Sequence, residues 1–399
     1  MTAKQNHSKL LRALTNLLLT SGALLFAFLL AEGALRADAY AKNGFTQLDN
    51  TFMIDAASGL RVPRPTMDYK GIHINTMGFR GPEIVSPKPA NTIRLAFLGA
   101  STTFCAEVTN DSTTWPDMVA RDFNRRFSQS TFDYINAGVP GYAINSMQKM
   151  LEYRVRPHAP DLVVIYEAAN SLASDTRRLA VDRNIVSEKD RHWYSWLVDR
   201  SRLAYLVYMN AVIWNLRDQD RSGARHRLEL GQQELDMLRA SYRDRMILLI
   251  RSAQQSARLV AVATFSFRVR QDNMPPEGSA EAAWMLYNAR ATHLTITGLV
   301  AAFDAFNAAI RDAAAATGAV LIEGEFDIPG DASHFVDSMH FTDAGSSAMA
   351  RRIADRLAVN PEVQNLFRNT MPASSLQIPP TAPSRDLTFP RPPAVGALP

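Results

Sequence analysis

Five short apolar runs, none of them alternating with polar residues, set the tightest limit on what this chain can fold into. They are Ile93–Leu98 (IRLAFL), Phe132–Asn136 (FDYIN), Asp161–Tyr166 (DLVVIY), Leu259–Phe265 (LVAVATF) and Ala319–Ile322 (AVLI). Gly99 stops the first, and Pro160 delimits the start of the third. An apolar run without alternation is a strand buried on both faces. Long helical or mixed stretches separate the five, so each strand returns through a crossover and the sheet is mostly parallel. The expected fold class is therefore α/β: a five-stranded, mostly parallel sheet between two helical layers. In such sheets the reacting groups collect at the carboxyl ends of the strands.

The ends of the chain are of other kinds. Lys4, Lys9 and Arg12 precede an apolar stretch from Leu14 to Ala31, which Glu32 and Arg36 close. A run of about 18 residues just crosses a hydrocarbon core, and its basic flank stays in the cytoplasm. Two readings compete, an uncleaved anchor and a secretory signal removed near Ala37-Asp38-Ala39. The run is long for a signal and the small residues lie well beyond it, so we read an anchor. The chain is then single-pass in the cytoplasmic membrane with its main domain facing the periplasm or exterior, and it is secreted if the segment is cleaved. From residue 360 to 399 the sequence is punctuated by Pro372, Pro379, Pro380, Pro383, Pro390, Pro392, Pro393 and Pro399, which marks a disordered or polyproline-like tail.

The expected division is thus 1–36 for the cytoplasmic end and anchor, 37–90 for a lead-in, 91–359 for the main domain and 360–399 for the tail. Within the domain, about 172–255 reads as a helical insertion between the third and fourth strands. It carries His192-Trp193-Tyr194-Ser195-Trp196, aromatics that either line a cleft or, as the plainer reading, pack the insertion on the sheet. Composition excludes some functions. Apolar residues at 47% and charged residues at 21% are those of an ordinary globular protein. The net charge of +4 is spread as mixed sign, with no basic stripe interleaved with aromatics, so no nucleic-acid partner is expected. The lone cysteine, Cys105, forms no internal disulfide, and no Cys/His cluster for a metal exists, so neither metal nor cofactor is expected.

Four motifs follow the strands in order. Gly99-Ala100-Ser101-Thr102-Thr103 presents a hydroxyl on a tight strand-to-helix turn; alone, it is an N-cap. Asn136-Ala137-Gly138-Val139-Pro140-Gly141-Tyr142 offers a glycine that lets backbone approach a substrate oxygen; alone, it is a turn. Asn170, in Glu167-Ala168-Ala169-Asn170-Ser171, offers an uncharged side-chain N–H to an anion, or a cap. Asp337-Ser338-Met339-His340 allows a carboxylate to fix an imidazole's tautomer. A second Asp-x-x-His at Asp331 and His334 has the same spacing; Thr342 and the helix after it favour the later pair. His73, His158 and His293 read as surface or structural residues.

Together these elements resemble the SGNH (GDSL-like) hydrolase family, whose signature is an ordered Ser, Gly, Asn and Asp-x-x-His set. The likeness runs from about Arg94 to Leu357, and Gly78-Phe79-Arg80-Gly81 is similar to the lead-in of membrane-anchored bacterial members. The resemblance implies a flavodoxin-like three-layer fold and a serine ester hydrolase with Ser101 as nucleophile, His340 as general base and Asp337 orienting it. The oxyanion hole it implies is the Ser101 N–H, the Gly141 N–H and the Asn170 side chain. Gly141 is preferred to Gly138 because the family's glycine stands five residues after the Asn that ends its second strand. The chain departs from the pattern at Ala100, where an Asp gives the family its name, at Cys105, where Gly is common, and at Ala168 and Ser171, for the Gly and Asp around the Asn. The substrate expected is a carboxylic ester on a glycan or lipid. Alternatives are an acyltransferase on envelope polysaccharide, using the same residues, and a silent domain that binds glycan or scaffolds. A nucleotide-binding domain is disfavoured because the first turn lacks Gly-x-Gly-x-x-Gly.

Overall fold

All five apolar runs are strands of one parallel sheet: β1 (Thr92–Gly99), β2 (Thr131–Gly138), β3 (Leu162–Tyr166), β4 (Leu259–Ala263) and β5 (Val320–Ile322), in the order β2-β1-β3-β4-β5. The computed structural model describes residues 2–43, 51–187, 194–198, 200–222 and 227–368. The proline-rich segment from 369 and the pair His192 and Trp193 lie outside the described residues. Residues Leu95 to Leu98 and Leu162 to Tyr166 are all fully buried, which is why these runs carry no alternation. The register places Gly99 opposite both Gly138 and Tyr166. The loops that carry Ser101, Gly141 and Asn170 thus leave one edge of the sheet from three adjacent strands.

Helices join the strands. The first, α1, spans Thr2–Asn43, and α2 is the single turn Ser101–Phe104. α3 (Trp115–Arg126) and α4 (Ile144–Met150) flank β2, and α5 (Ala169–Asp182) follows β3. Further along are α6 (Ser195–Val198), α7 (Arg202–Ser222), α8 (Gln232–Gln254), α9 (Ala280–Asn288), α10 (Ile296–Thr317), α11 (Asp343–Val359) and α12 (Pro361–Arg368). α3, α11 and α12 pack together as one group, and α4, α5, α8 and α10 as another.

Four expected boundaries move. The segment 172–255 is not one insertion: α5 belongs to the crossover, and α8 buries Leu238, Tyr242, Met246, Leu249, Ile250 and Ala253. Its charged residues occupy only the outer face, so it is the amphipathic helix that covers the sheet before β4. The lead-in from residue 51 groups with the sheet as one unit. The tail begins later than residue 360, because α12 buries Val363, Leu366 and Phe367. The Phe367 ring lies 5.0 Å from Phe123 and 4.8 Å from Phe132. Finally, α1 does not end at residue 36 but runs on to Asn43.

A second, smaller unit gathers α1 with the segment around residues 194–214. The helix Arg12–Ala41 is long and apolar enough to cross a membrane, a test that a signal sequence also passes. Its apolar side chains face outward, Leu18 at 72% exposure. Glu32 is buried and accepts hydrogen bonds from Arg36 Nε (2.6 Å), Ser201 Oγ (2.8 Å) and the Leu203 N–H (2.9 Å). It thereby caps the first turn of α7. Trp196 is largely exposed, and Tyr194 lies 6.2 Å from the Tyr208 ring within the same unit. Trp196 is therefore not buried within this unit.

Candidate active site

The turn after β1 determines where the Ser101 hydroxyl stands. Gly99 is required there, since a Cβ would lie 2.0 Å from Thr103 Oγ1 and 2.8 Å from the Tyr166 carbonyl. Ser101 opens α2, a position whose N–H has no acceptor within the helix. A one-turn helix likewise leaves its carbonyls to be bonded from elsewhere. The Ser101 carbonyl accepts the Cys105 N–H at 2.8 Å, the Thr102 carbonyl accepts Trp115 Nε1–H at 2.9 Å, and the Thr103 carbonyl accepts Asn136 Nδ2–H at 3.0 Å. Asn136 also accepts the Gly138 N–H through Oδ1 at 3.0 Å. Gly138 packs directly on this turn, where a Cβ would come within 2.4 Å of the Phe104 nitrogen. Cys105 has φ +60° and is buried.

The loop after β5 brings the second group. Phe335 and Phe341 pair in an antiparallel bridge, and the Val336 N–H donates to the His340 carbonyl at 2.8 Å. Asp337 Oδ1 accepts the Met339 and His340 N–H groups, both at 2.9 Å. Asp337 Oδ2 lies 2.7 Å from His340 Nδ1, and His340 Nε2 lies 2.8 Å from Ser101 Oγ. Carboxylate, imidazole and hydroxyl thus form one hydrogen-bonded chain. Asp331 and His334 do not join it. Asp331 Oδ1 accepts the Ser333 and His334 N–H groups and lies 2.9 Å from His334 Nδ1, shaping the loop instead. His73 pairs with Asp68 at 2.6 Å and His293 with Thr176 at 2.9 Å, and burial lowers the His158 pKa.

Charge around the imidazole is unevenly placed. Burial works against protonation of His340, but the negative charge of Glu107 opposes it most strongly, followed by the hydrogen bond and charge of Asp337. Arg290 pulls the other way, and the result is a pKa raised to about 9. For Asp337 burial is outweighed by the His340 and backbone hydrogen bonds, and its carboxyl lies below the usual range. Glu107 itself is raised by the protein mass around it, although its surface is open to solvent.

Gly141 has φ +86°, and a Cβ there would meet nothing within 4 Å, so conformation rather than crowding calls for glycine. The next residue, Tyr142, accepts Asn170 Nδ2–H at 3.0 Å through its carbonyl. That bond uses one of the two amide hydrogens of Asn170 and ties the second loop to the third. Ala168 cannot cap α5. Glu167 does so in its place, accepting the Ser171 N–H at 3.1 Å and the Ser171 hydroxyl at 2.9 Å. Tyr242 from α8 holds the Glu167 carbonyl at 2.5 Å. Among the described residues no group of three or more His, Cys, Asp or Glu is placed to hold a metal.

Sequence reasoning missed Trp115 and Glu107, and the capping by Glu167. Trp115 opens an amphipathic helix and looks like core; nothing in one dimension shows that its indole N–H reaches the Ser101 turn.

The sequence model of the GDSL-like lipase/acylhydrolase family matches residues 97–348, well over half of the chain. No curated protein matches the chain significantly. Similar solved structures include a lipase/acylhydrolase from Enterococcus faecalis (15% identity, 66% of this chain and 95% of that one, TM-score 0.38). Another is the acetylxylan esterase Axe2 from Geobacillus stearothermophilus (14% identity, 67% and 95%, TM-score 0.40). With its five-stranded parallel sheet and a family match that begins inside β1 and ends within α11, this chain belongs to the GDSL-like lipase/acylhydrolase family of hydrolases.

Proposed function

We propose that the chain is a serine ester hydrolase acting through an acyl-enzyme, with Ser101 as nucleophile, His340 as general base and Asp337 as the group that orients it. The observation that carries this reading is the hydrogen-bonded chain from Asp337 through His340 to Ser101, 2.7 and 2.8 Å, between residues 239 positions apart. Ser101 Oγ bonds to the ester carbonyl carbon as its proton passes to His340 Nε2, and the carbonyl oxygen becomes an anion. Asp337, kept ionised, stabilises the imidazolium through Nδ1–H. Collapse expels the alcohol, which takes the proton from Nε2, and water then releases the acid by the same route.

The oxyanion donors in this reading are the N–H groups of Ser101 and Gly141 and the free amide hydrogen of Asn170. One such donor is worth about 2.7–4 kcal/mol, or ~100–1000-fold in rate. The substrate class is a carboxylic ester on a glycan or lipid, and the domain works outside the cytoplasmic membrane, held there by α1. Turnover of p-nitrophenyl esters of graded chain length tests the reading. Ser101→Ala is expected to abolish it, and Asn170→Ala to slow it by the factor above with folding intact; turnover in Ser101→Ala equal to that of the native chain contradicts the assignment. Retention of the full-length chain in membranes through an alkaline wash tests the anchor, and release of a shortened chain contradicts it.

A further inference from the structure

The stretch Gly78-Phe79-Arg80-Gly81 lies ahead of the residues that match the family and gives no group to the triad, yet it is a built turn. Asn75 Oδ1 accepts the Met77 and Phe79 N–H groups, both at 3.0 Å, and its Nδ2–H donates to the Pro82 carbonyl at 2.9 Å. Gly81 has φ +120°, and a Cβ there would stand 2.6 Å from the Tyr134 hydroxyl. This turn delivers Arg80, whose side chain has no exposed surface. Its Nε–H donates to Asp111 Oδ1 at 2.7 Å, and Asp111 Oδ2 accepts the His73 N–H at 2.8 Å. Its Nη1 donates to the carbonyls of Phe104, at 2.8 Å, and of Cys105.

Those two carbonyls close the Ser101 turn. The carbonyls of Thr102 and Thr103 are held by Trp115 and Asn136; the Cys105 carbonyl also accepts the Val108 N–H, at a long 3.4 Å, and Arg80 supplies the shorter bonds to it and to Phe104. The demand there is greatest, because Cys105 sits in the left-handed region, which costs a residue with a Cβ roughly 1–2 kcal/mol. A guanidinium suits the task, since its donors diverge from one rigid plane and can take a carboxylate on one side and carbonyls on another. Bonding of its own hydrogens does not account for the residue: Nη2 is buried with no partner among the described residues, an arrangement that costs about 1–3 kcal/mol.

We propose that Arg80 is a positioning residue for the reaction: reaching from the lead-in, it fixes the end of the Ser101–Cys105 turn and so keeps Ser101 Oγ on His340 Nε2. The lead-in is then part of the catalytic unit rather than a spacer. The proposal rests on the reading of Ser101 as nucleophile.

The test measures kcat and KM for p-nitrophenyl acetate, the rate of fluorophosphonate labelling per folded molecule and thermal unfolding, on the full chain in detergent. A displacement of about 1 Å at a reacting group costs up to ~100-fold. Arg80→Lys is therefore expected to lower kcat and the labelling rate by about tenfold to a hundredfold, with KM unchanged. Adding Cys105→Gly, which removes the left-handed penalty, is expected to recover part of the loss. Asp111→Asn loosens the guanidinium without emptying its place, and serves if Arg80→Lys does not fold; it is expected to lower kcat by a smaller factor at constant KM. Native kcat in folded Arg80→Lys, or in Asp111→Asn when that variant alone folds, overturns the proposal, as does a loss of thermal stability with kcat intact. A native chain that takes no label overturns the reading of Ser101 and this proposal with it, whereas a labelled native chain with unimpaired variants overturns this proposal alone.

Discussion

At the scale of single residues, two carboxylates act on the imidazole of His340 in different ways. Asp337 bonds Nδ1 and fixes the tautomer that leaves Nε2 facing the Ser101 hydroxyl. Glu107 is not hydrogen-bonded to the ring, and acts on it through charge. A general base must be neutral before the attack, so a pKa raised to about 9 places the rising limb of the rate in mildly alkaline solution. Removing the Glu107 charge destabilises the imidazolium, lowers the His340 pKa and moves that limb to lower pH. Glu107→Gln is accordingly expected to be more active than the native chain near neutral pH and equal to it at the alkaline plateau. A pH profile of kcat/KM checks this, and a limb that stays in place would mean Glu107 does not govern the base. The same comparison explains why Asp331 and His334 do not compete: their pairing is complete within their own loop.

At the scale of elements, three short pieces with little stability of their own are held from outside. The Ser101 turn depends on Trp115, Asn136 and Arg80; the loop with Asp337 and His340 depends on its antiparallel bridge; and the start of α5 depends on Glu167. The last has a thermodynamic signature. Burial pushes the Glu167 carboxyl up to about 7, against the Ser171 hydrogen bonds and the nearby Arg245 charge. Between the ordinary glutamate value and about 7 the folded chain then binds more protons than the unfolded one, so this group makes stability fall as pH rises through that window. Glu167→Gln is expected to flatten that part of the stability profile between about pH 5 and pH 7.5. Thermal unfolding of both proteins across that range checks it, and parallel profiles would assign the slope elsewhere.

At the scale of the whole molecule, what was legible in the sequence is what burial alone dictates. Runs such as DLVVIY have no polar face to hide, so the strands, their mostly parallel arrangement and the strand ends after which Ser101, Gly141 and Asn170 stand could be read directly, while the order of the strands came only from the structure. Elements whose meaning depends on a distant partner could not. α8 carries charge along most of its length, and only the stripe from Leu238 to Ala253 shows that it covers a sheet. α12 begins at Pro361 beside a proline-rich stretch, and its membership of the domain rests on Phe367 meeting Phe123 and Phe132. Arg80 stands in the stretch Gly78-Phe79-Arg80-Gly81, but its partners are the carbonyls of residues 24 and 25 positions away. The central claim concerns one such long-range meeting, between residues 101 and 340. The most direct measurement is mass-spectrometric mapping of the native chain after reaction with a fluorophosphonate. The account predicts a single adduct on Ser101 that disappears in His340→Ala; an adduct on another residue, or undiminished labelling without the imidazole, would contradict it.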